Sequence, residues 1–292
     1  ARSDGSPVYN LTNVVDDSLM EITHVIRGED HVSNTPKQIL IYHALGFNVP
    51  IFAHLPMILG EDKKRLSKRH GAAGVNEYES MGYQPDALLN YLALLGWNPG
   101  TEEEIFDLGS LVKNFDIRKV QKKSATYDQK KFNWISSQHL MREDSDKVLN
   151  RLASIDPRWS ESRSQDYLIK IIDLMKPRSN SLTDLIDQSR YFFSSPKEFD
   201  SAQLQKIWKQ DTAEIIIELK SVLGAINSWV AIELESNFKS FMDQRGFGIG
   251  KVMKPMRFLI CGSLQGPSLF DLMELIGKEE SLKRINYAIN EF

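Results

Sequence analysis

Between Gly60 and Gly71, five of twelve residues are Lys or Arg. Lys64, Arg65, Lys68 and Arg69 crowd around one hydroxyl, that of Ser67. Positive charge gathered on a loop can track a phosphate whose charge moves during reaction. A second set of capable side chains, Arg27, Glu29, Asp30 and His31, follows Gly28-terminated Ile22–Arg27. Arginine can grip a carboxylate through two parallel hydrogen bonds, and a carboxylate can accept from hydroxyls. On charge alone, a solvated charged turn is the favoured reading of the basic loop.

The elements that must position these groups argue for chemistry. Ile22–Arg27 is β-branched and apolar, as a strand is. Thr35-Pro36-Lys37-Gln38 predicts a helix start, with Thr35 as N-cap, Pro36 in the first turn and Gln38 closing a capping box. That helix runs through Ile39, Leu40, Tyr42 and Leu45 and stops at Gly46. The apolar run Ile51–Leu59 predicts the next strand. A strand–helix–strand unit is parallel with a right-handed crossover. It places both loops at one sheet edge, outside the carboxyl ends of the strands, where open parallel sheets bind ligands. Upstream, Pro7–Leu11 reads as a short extended stretch that continues something earlier, and Asp16-Asp17-Ser18 offers caps for a turn or short helix.

Composition is that of a globular chain, 41% hydrophobic and 26% charged. No apolar run has membrane-spanning length. The single cysteine, Cys261, excludes a disulfide or zinc cluster within the chain and suits a reducing, cytoplasmic compartment. A net charge of −3 means that any nucleic acid must be met by local basic patches. One candidate patch is Lys113 to Lys131, with seven basic residues interleaved with Phe115 and Tyr127; the other reading is a solvated helix face. Pro85–Leu95 has helical spacing. Beyond Met141 the pattern is all-helical, with periods at Tyr167–Met175, Ala213–Leu223, Val230–Phe241 and Leu269–Ile276. Gly246–Lys251 imitates a phosphate-binding glycine loop, but Val follows the lysine and no strand precedes it; a turn into a helix is expected. The fold class is therefore α/β followed by all-α.

The motifs together carry a family resemblance. Leu66-Ser-Lys-Arg69 after a strand resembles the Lys-Met-Ser-Lys-Ser signature of class I aminoacyl-tRNA synthetases. Ser3–Tyr9, Asn13–Asp17, His24–His31, Asn34–Tyr42, Ala87–Trp97, Lys176-Pro-Arg178 and Gly266–Phe270 resemble glutamyl-tRNA synthetases. Two departures stand out. The His-x-Gly-His-type motif of the family does not occur, and Arg65 stands where the signature has its first Lys, with Lys64 beside it. The chain thus resembles a C-terminal part: the second half of a Rossmann-like fold with the Ser-Lys-Arg loop (1–72), a stem-contact region (73–144) and a helical anticodon-binding domain (145–292, with a break near 196–204).

The resemblance implies ATP-dependent attachment of L-glutamate to tRNA(Glu) through a glutamyl-adenylate. Lys68 would stabilise the leaving pyrophosphate, with Ser67 and Arg69 shaping the loop. Asp30, Ile58, Arg65 and Lys68 would contact ATP, whose Mg²⁺ travels with the nucleotide and needs no metal site on the chain. Arg27, Tyr9 and Asn13 would hold glutamate; for Tyr9 and Asn13 plain packing is the competing reading, and for His24 and His31 a structural role is expected. Arg178 would read an anticodon base, or be a surface charge at a helix start. A monomer, no membrane partner and inactivity of the isolated part are expected. The alternatives are a tRNA-binding module without catalysis and a non-discriminating enzyme that also charges tRNA(Gln).

Overall fold

The computed structural model describes residues 2–67, 74–161 and 163–292. The chain opens with α1 (Tyr9–Leu19), β1 (His24–Gly28), a 3₁₀ turn (Glu29–His31), α2 (Thr35–Ala44) and β2 (Ile51–Leu55). It continues through α3 (Val75–Ser80), α4 (Pro85–Leu94), α5 (Leu108–Asn114), α6 (Gln129–Arg142), α7 (Ser145–Ile155), α8 (Arg158–Glu161), α9 (Gln165–Met175), α10 (Leu182–Gln188) and α11 (Arg190–Phe193). The last elements are α12 (Ser201–Ile207), α13 (Thr212–Gly224), α14 (Ala231–Arg245), α15 (Ile249–Cys261), α16 (Leu269–Ile276) and α17 (Lys278–Glu291). They form two compact units: Ala1–Glu77 with Pro85–Ile135, and Tyr78–Gln84 with Ser136–Phe292. The chain is α/β, then all-α.

In the first unit β1 and β2 pair in parallel, with Arg27 opposite His54. α2 makes the crossover between them. β2 is shorter than expected because Pro56 has no N–H to give a ladder. Pro7–Leu11 is not extended: Tyr9 begins α1. Leu11, Val14 and Val15 have helical spacing, and burying Val14 against α2 outweighs the weak local β preference. The capping box also fails. Asn34 occupies the N-cap position without a side-chain cap bond, and Thr35 is already helical. The remainder of this unit packs around Trp97, Phe106 and Leu111. Buried Asn90 ties it together: its Oδ1 accepts from Phe106 N (2.9 Å) and its Nδ2 donates to Glu104 O (3.0 Å).

The second unit is a helical core. Leu168, Ile171, Ile172 and Met175 line one face of α9 at i, i+3, i+4 and i+7 and are all buried. They join Leu219 of α13, Phe238 of α14, Leu259 of α15 and Leu272 of α16 in one cluster. Each such side chain contributes about 2 kcal/mol of hydrophobic stabilisation before entropy is counted. Asp144 caps α7 by accepting from Asp146 N and Lys147 N, which uses the charged stretch Arg142–Lys147 as a helix joint. Gly246 ends α14 in the left-handed region (φ 64°) and Gly248 precedes α15, so the glycine-rich segment is the expected turn. Lys176 and Arg284 are buried in this unit, and both have acceptors: Glu143 O and Ser145 Oγ for Lys176, Glu280 Oε1 and Ile260 O for Arg284.

Candidate functional site

The carboxyl ends of β1 and β2 bring two loops together. Glu29 Oε1 accepts from Met57 N (3.0 Å), and Arg65 Nη2 lies 3.4 Å from Asp30 Oδ2. The loop after β2 is itself shaped by backbone bonds. Gly60 N donates to Lys64 O (2.8 Å), Lys63 N to Gly60 O (2.9 Å) and Leu66 N to Ile58 O (2.8 Å). Lys63 takes a left-handed conformation (φ 60°) to close this turn. Leu59 is fixed from its other side, donating to Ala125 O (2.9 Å) and accepting from Tyr127 N (2.8 Å). The chain therefore leaves Leu66 and Ser67 from a braced base. Lys68 and Arg69 lie outside the described residues.

Behind this edge Arg27 is half-buried. Its Nη2 donates to Thr35 Oγ1 (2.8 Å) and Gln38 Oε1 (2.7 Å), and its Cζ lies 5.4 Å from the Phe52 ring centre. Bonds from a guanidinium are roughly twice as strong as neutral ones. That is why Thr35 and Gln38 serve Arg27 and not the helix start. Arg27 Nε is buried with no hydrogen-bond partner. Thr35 Oγ1 also lies 2.9 Å from His54 Nε2. Gln38 Nε2 donates to Asn10 Oδ1 (3.2 Å) and Asn13 Oδ1 (3.0 Å).

The structure thus joins Arg27 to Asn13 through Gln38, and Asp30 to Arg65 directly. Tyr9 is half-exposed beside His31, its hydroxyl 3.4 Å from Nδ1. Tyr9 and Asn13 are i and i+4 on α1 and share a face. Sequence reasoning assigned Gln38 to a cap and passed over Asn10 and His54. Reading α1 as a helix would have put Asn10 beside Asn13.

The basic stretch 113–131 is partly compensated. Asp116 holds Arg118 bidentately, at 3.0 and 2.9 Å, and Glu104 pairs with Lys131 at 2.5 Å. Asp116's carboxyl is held below the usual carboxylate range chiefly by the Arg118 side chain. Phe115 is half-exposed against Trp97, whereas Tyr127 is buried.

In the second unit, Arg178 ends a 3₁₀ turn and is exposed. Its carbonyl accepts from Gln188 Nε2 (3.4 Å). Gln188 also lines a cavity of about 470 Å³, with Tyr191, Ser195, Cys261 and Gln265. Arg257 Nη1 is buried without a hydrogen-bond partner, and a Cβ at Gly266, which lines the cavity, would come within 3.0 Å of it. Burial pushes the Tyr191 phenol up and the Cys261 thiol up to about 12, which leaves that thiol unreactive at neutral pH. Arg257, absent from the sequence-based candidates, is detectable only by its orphaned donor.

The family description "tRNA synthetases class I (E and Q), catalytic domain" matches residues 1–134, and "Anticodon binding domain" matches residues 146–289. Residues 1–134 thus carry the catalytic-domain pattern of class I aminoacyl-tRNA synthetases of the glutamate and glutamine group, and 146–289 that of an anticodon-binding domain. Within that group it is similar to proteins called glutamate--tRNA ligase. The one from Syntrophobacter fumaroxidans is 41% identical over 99% of this chain and 62% of its own length. That from Moorella thermoacetica is 39% identical over 98% of this chain and 60% of its own length. A crystal structure of a glutamate tRNA ligase from Elizabethkingia meningosepticum in complex with its amino acid superposes with a TM-score of 0.80 at 35% identity, over 98% of this chain and 61% of that one. The chain spans about three-fifths of the length of these relatives. Among the described residues no helix is long and apolar enough to cross a membrane.

Proposed function

We propose that this chain is the C-terminal part of a monomeric, cytoplasmic enzyme that uses ATP to attach L-glutamate to tRNA(Glu). The observation that carries this reading is the braced sheet edge. Arg65 and Asp30 join the two loops at the ends of parallel strands, and Arg27 stands behind them with a buried Nε lacking an acceptor. Thr35 and Gln38 take both protons of Nη2 and Nε is buried, which leaves Nη1 to meet an incoming carboxylate. Residues 1–72 supply this edge, 73–144 the stem-contact region and 145–292 the anticodon-binding helices.

In the first step a glutamate carboxylate oxygen attacks the α-phosphorus of ATP. The bond to pyrophosphate breaks, giving glutamyl-adenylate. In the second, a hydroxyl of the terminal adenosine of tRNA attacks the acyl carbon and AMP leaves. Arg27 grips the amino acid, with Tyr9 and Asn13 beside it on α1. Asp30, Arg65 and the backbone at Ile58 meet the nucleotide, which carries its Mg²⁺. Charge grows on the leaving pyrophosphate, so a cation there lowers the barrier more than it tightens ground-state binding. Lys68 has that role, and Ser67 and Arg69 shape the loop. Arg178, beside the 470 Å³ cavity, reads an anticodon base.

The test is glutamate-dependent ATP–pyrophosphate exchange followed by charging of tRNA(Glu), on this chain alone and on the polypeptide that its gene encodes. Exchange by the encoded polypeptide is expected; none at all overturns the reading. The isolated chain is expected to be inactive. Its three-fifths coverage of the relatives favours a second reading, a tRNA-binding module without catalysis. An encoded polypeptide that binds tRNA but never exchanges would establish it. Equal charging of tRNA(Glu) and tRNA(Gln) would make the enzyme non-discriminating.

A further inference from the structure

Gln38 is fully buried, and its carboxamide is used at both ends. Oε1 accepts from Arg27 Nη2 (2.7 Å). Nε2 donates its two protons to Asn10 and Asn13, at 3.2 and 3.0 Å. One rigid group on α2 therefore sets both the β1 arginine and the α1 face that carries Asn13 and Tyr9. No other side chain of this length offers an acceptor at one end and two donors at the other. We infer that Gln38 is a positioning residue for amino-acid binding: it fixes the Arg27 guanidinium relative to Asn10 and Asn13, so that the three present one preset surface to a carboxylate-bearing substrate.

The burial supports a role in positioning and not in contact with substrate. Arg27 has a second anchor, Thr35 Oγ1 at 2.8 Å, on the same helix one turn earlier. With two acceptors on α2, Nη2 is saturated, and because Nε is buried the guanidinium's remaining capacity for a substrate lies with Nη1. Removing Gln38 frees Arg27 to rotate about Thr35 and releases both Asn side chains. Misplacing a gripping group by about 1 Å costs on the order of a hundredfold in a preorganised site.

This role rests on Arg27 gripping the amino acid, so the wild-type encoded polypeptide is assayed first for glutamate-dependent exchange. Failure there overturns the functional reading itself and is separate from any result on the variants. Q38M keeps the length and removes both polar ends. Q38E keeps the shape but sets a carboxylate against Arg27, which competes with the substrate. Each is expected to raise KM for glutamate at least tenfold, with KM for ATP within twofold of wild type and a single cooperative melting transition, lowered because partly buried partners of Gln38 are left unsatisfied. A folded variant with wild-type KM for glutamate overturns the inference. So does a parallel rise in both KM values, or failure of both variants to fold, since each would make Gln38 a structural residue only.

Discussion

Arg65 in the loop after β2 and Asp30 in the turn after β1 form an ion pair, 3.4 Å from Nη2 to Oδ2. The pair bridges two segments that the sheet alone would leave side by side. Both partners are solvent-exposed, so its worth to stability is about 1 kcal/mol or less. Its value is geometric, holding the basic loop over the strand ends. Asp30→Ala is therefore expected to shift the melting temperature by no more than a few degrees while raising KM for ATP several-fold. Calorimetry beside pyrophosphate-exchange kinetics checks this; an unchanged KM would leave the pair a surface contact.

Lys68, beyond the described residues, is the sharper test of the same loop. Losing one preorganised contact to developing charge costs about 3 kcal/mol, roughly a hundredfold or more in rate. Lys68→Ala in the encoded polypeptide should lower the exchange rate by that factor with no change in melting. Near-normal exchange would remove the residue from the chemistry.

Arg178 is exposed, so its side chain contributes little to the fold. Arg178→Ala is expected to leave pyrophosphate exchange intact and to weaken charging of tRNA(Glu), mostly through KM for the tRNA. An Arg that reads a base edge should also change the ratio of tRNA(Glu) to tRNA(Gln) charging. An unaltered ratio would make it a surface charge.

Although Leu40 and Leu45 of the expected apolar face are exposed, the parallel strand–helix–strand unit was legible because β-branched runs, Pro36 in a first helical turn and Gly46 as a stop are local signals. The same holds for α9, α13, α14 and α16, whose apolar periods match their buried faces. α1 was not legible. Its apolar residues acquire meaning only against α2. Gln38 misled for a different reason: three residues after a threonine, it fits a capping box, yet its partner Arg27 lies across the strand–helix interface. Arg257 betrays itself only through an orphaned donor that no sequence pattern encodes.

Gly82 was likewise invisible in the sequence. It takes a left-handed conformation (φ 73°), and a Cβ there would lie 2.7 Å from Thr183 N. Its carbonyl also accepts from Leu182 N (3.0 Å). Because the obstacle is backbone, it cannot swing aside. Gly82→Ala combines left-handed strain with that clash and should destabilise by more than about 1 kcal/mol. A chemical-denaturation midpoint equal to wild type would refute it.

Acid should loosen the joint between α17 and the segment before α12. Glu280 on α17 accepts from Ser195 Oγ (2.6 Å) and from the buried Arg284 Nε (2.7 Å). Burial alone would raise its pKa, but the bonds to Ser195 and Arg284 outweigh burial and hold the carboxyl below its ordinary value of 4.5. A carboxyl depressed on folding binds its proton more readily in the unfolded chain. Its stabilisation is therefore fully present above the unfolded pKa and disappears as pH falls through the lower, folded one. In Glu280→Gln the neutral amide keeps the shape and loses this linkage. The variant should melt below wild type at pH 7, and the gap should narrow as pH drops below about 4.5, the unfolded carboxyl value. Arg284 accounts for the gap at pH 7: the nearly inaccessible guanidinium, which also donates to Ile260 O at 2.9 Å, faces a neutral amide in the variant where wild type offers a carboxylate. Once pH falls below the folded pKa, wild-type Glu280 is neutral as well, so the gap should close towards zero, and a gap that is constant from pH 7 to pH 3 would show that Glu280 is not depressed by its partners.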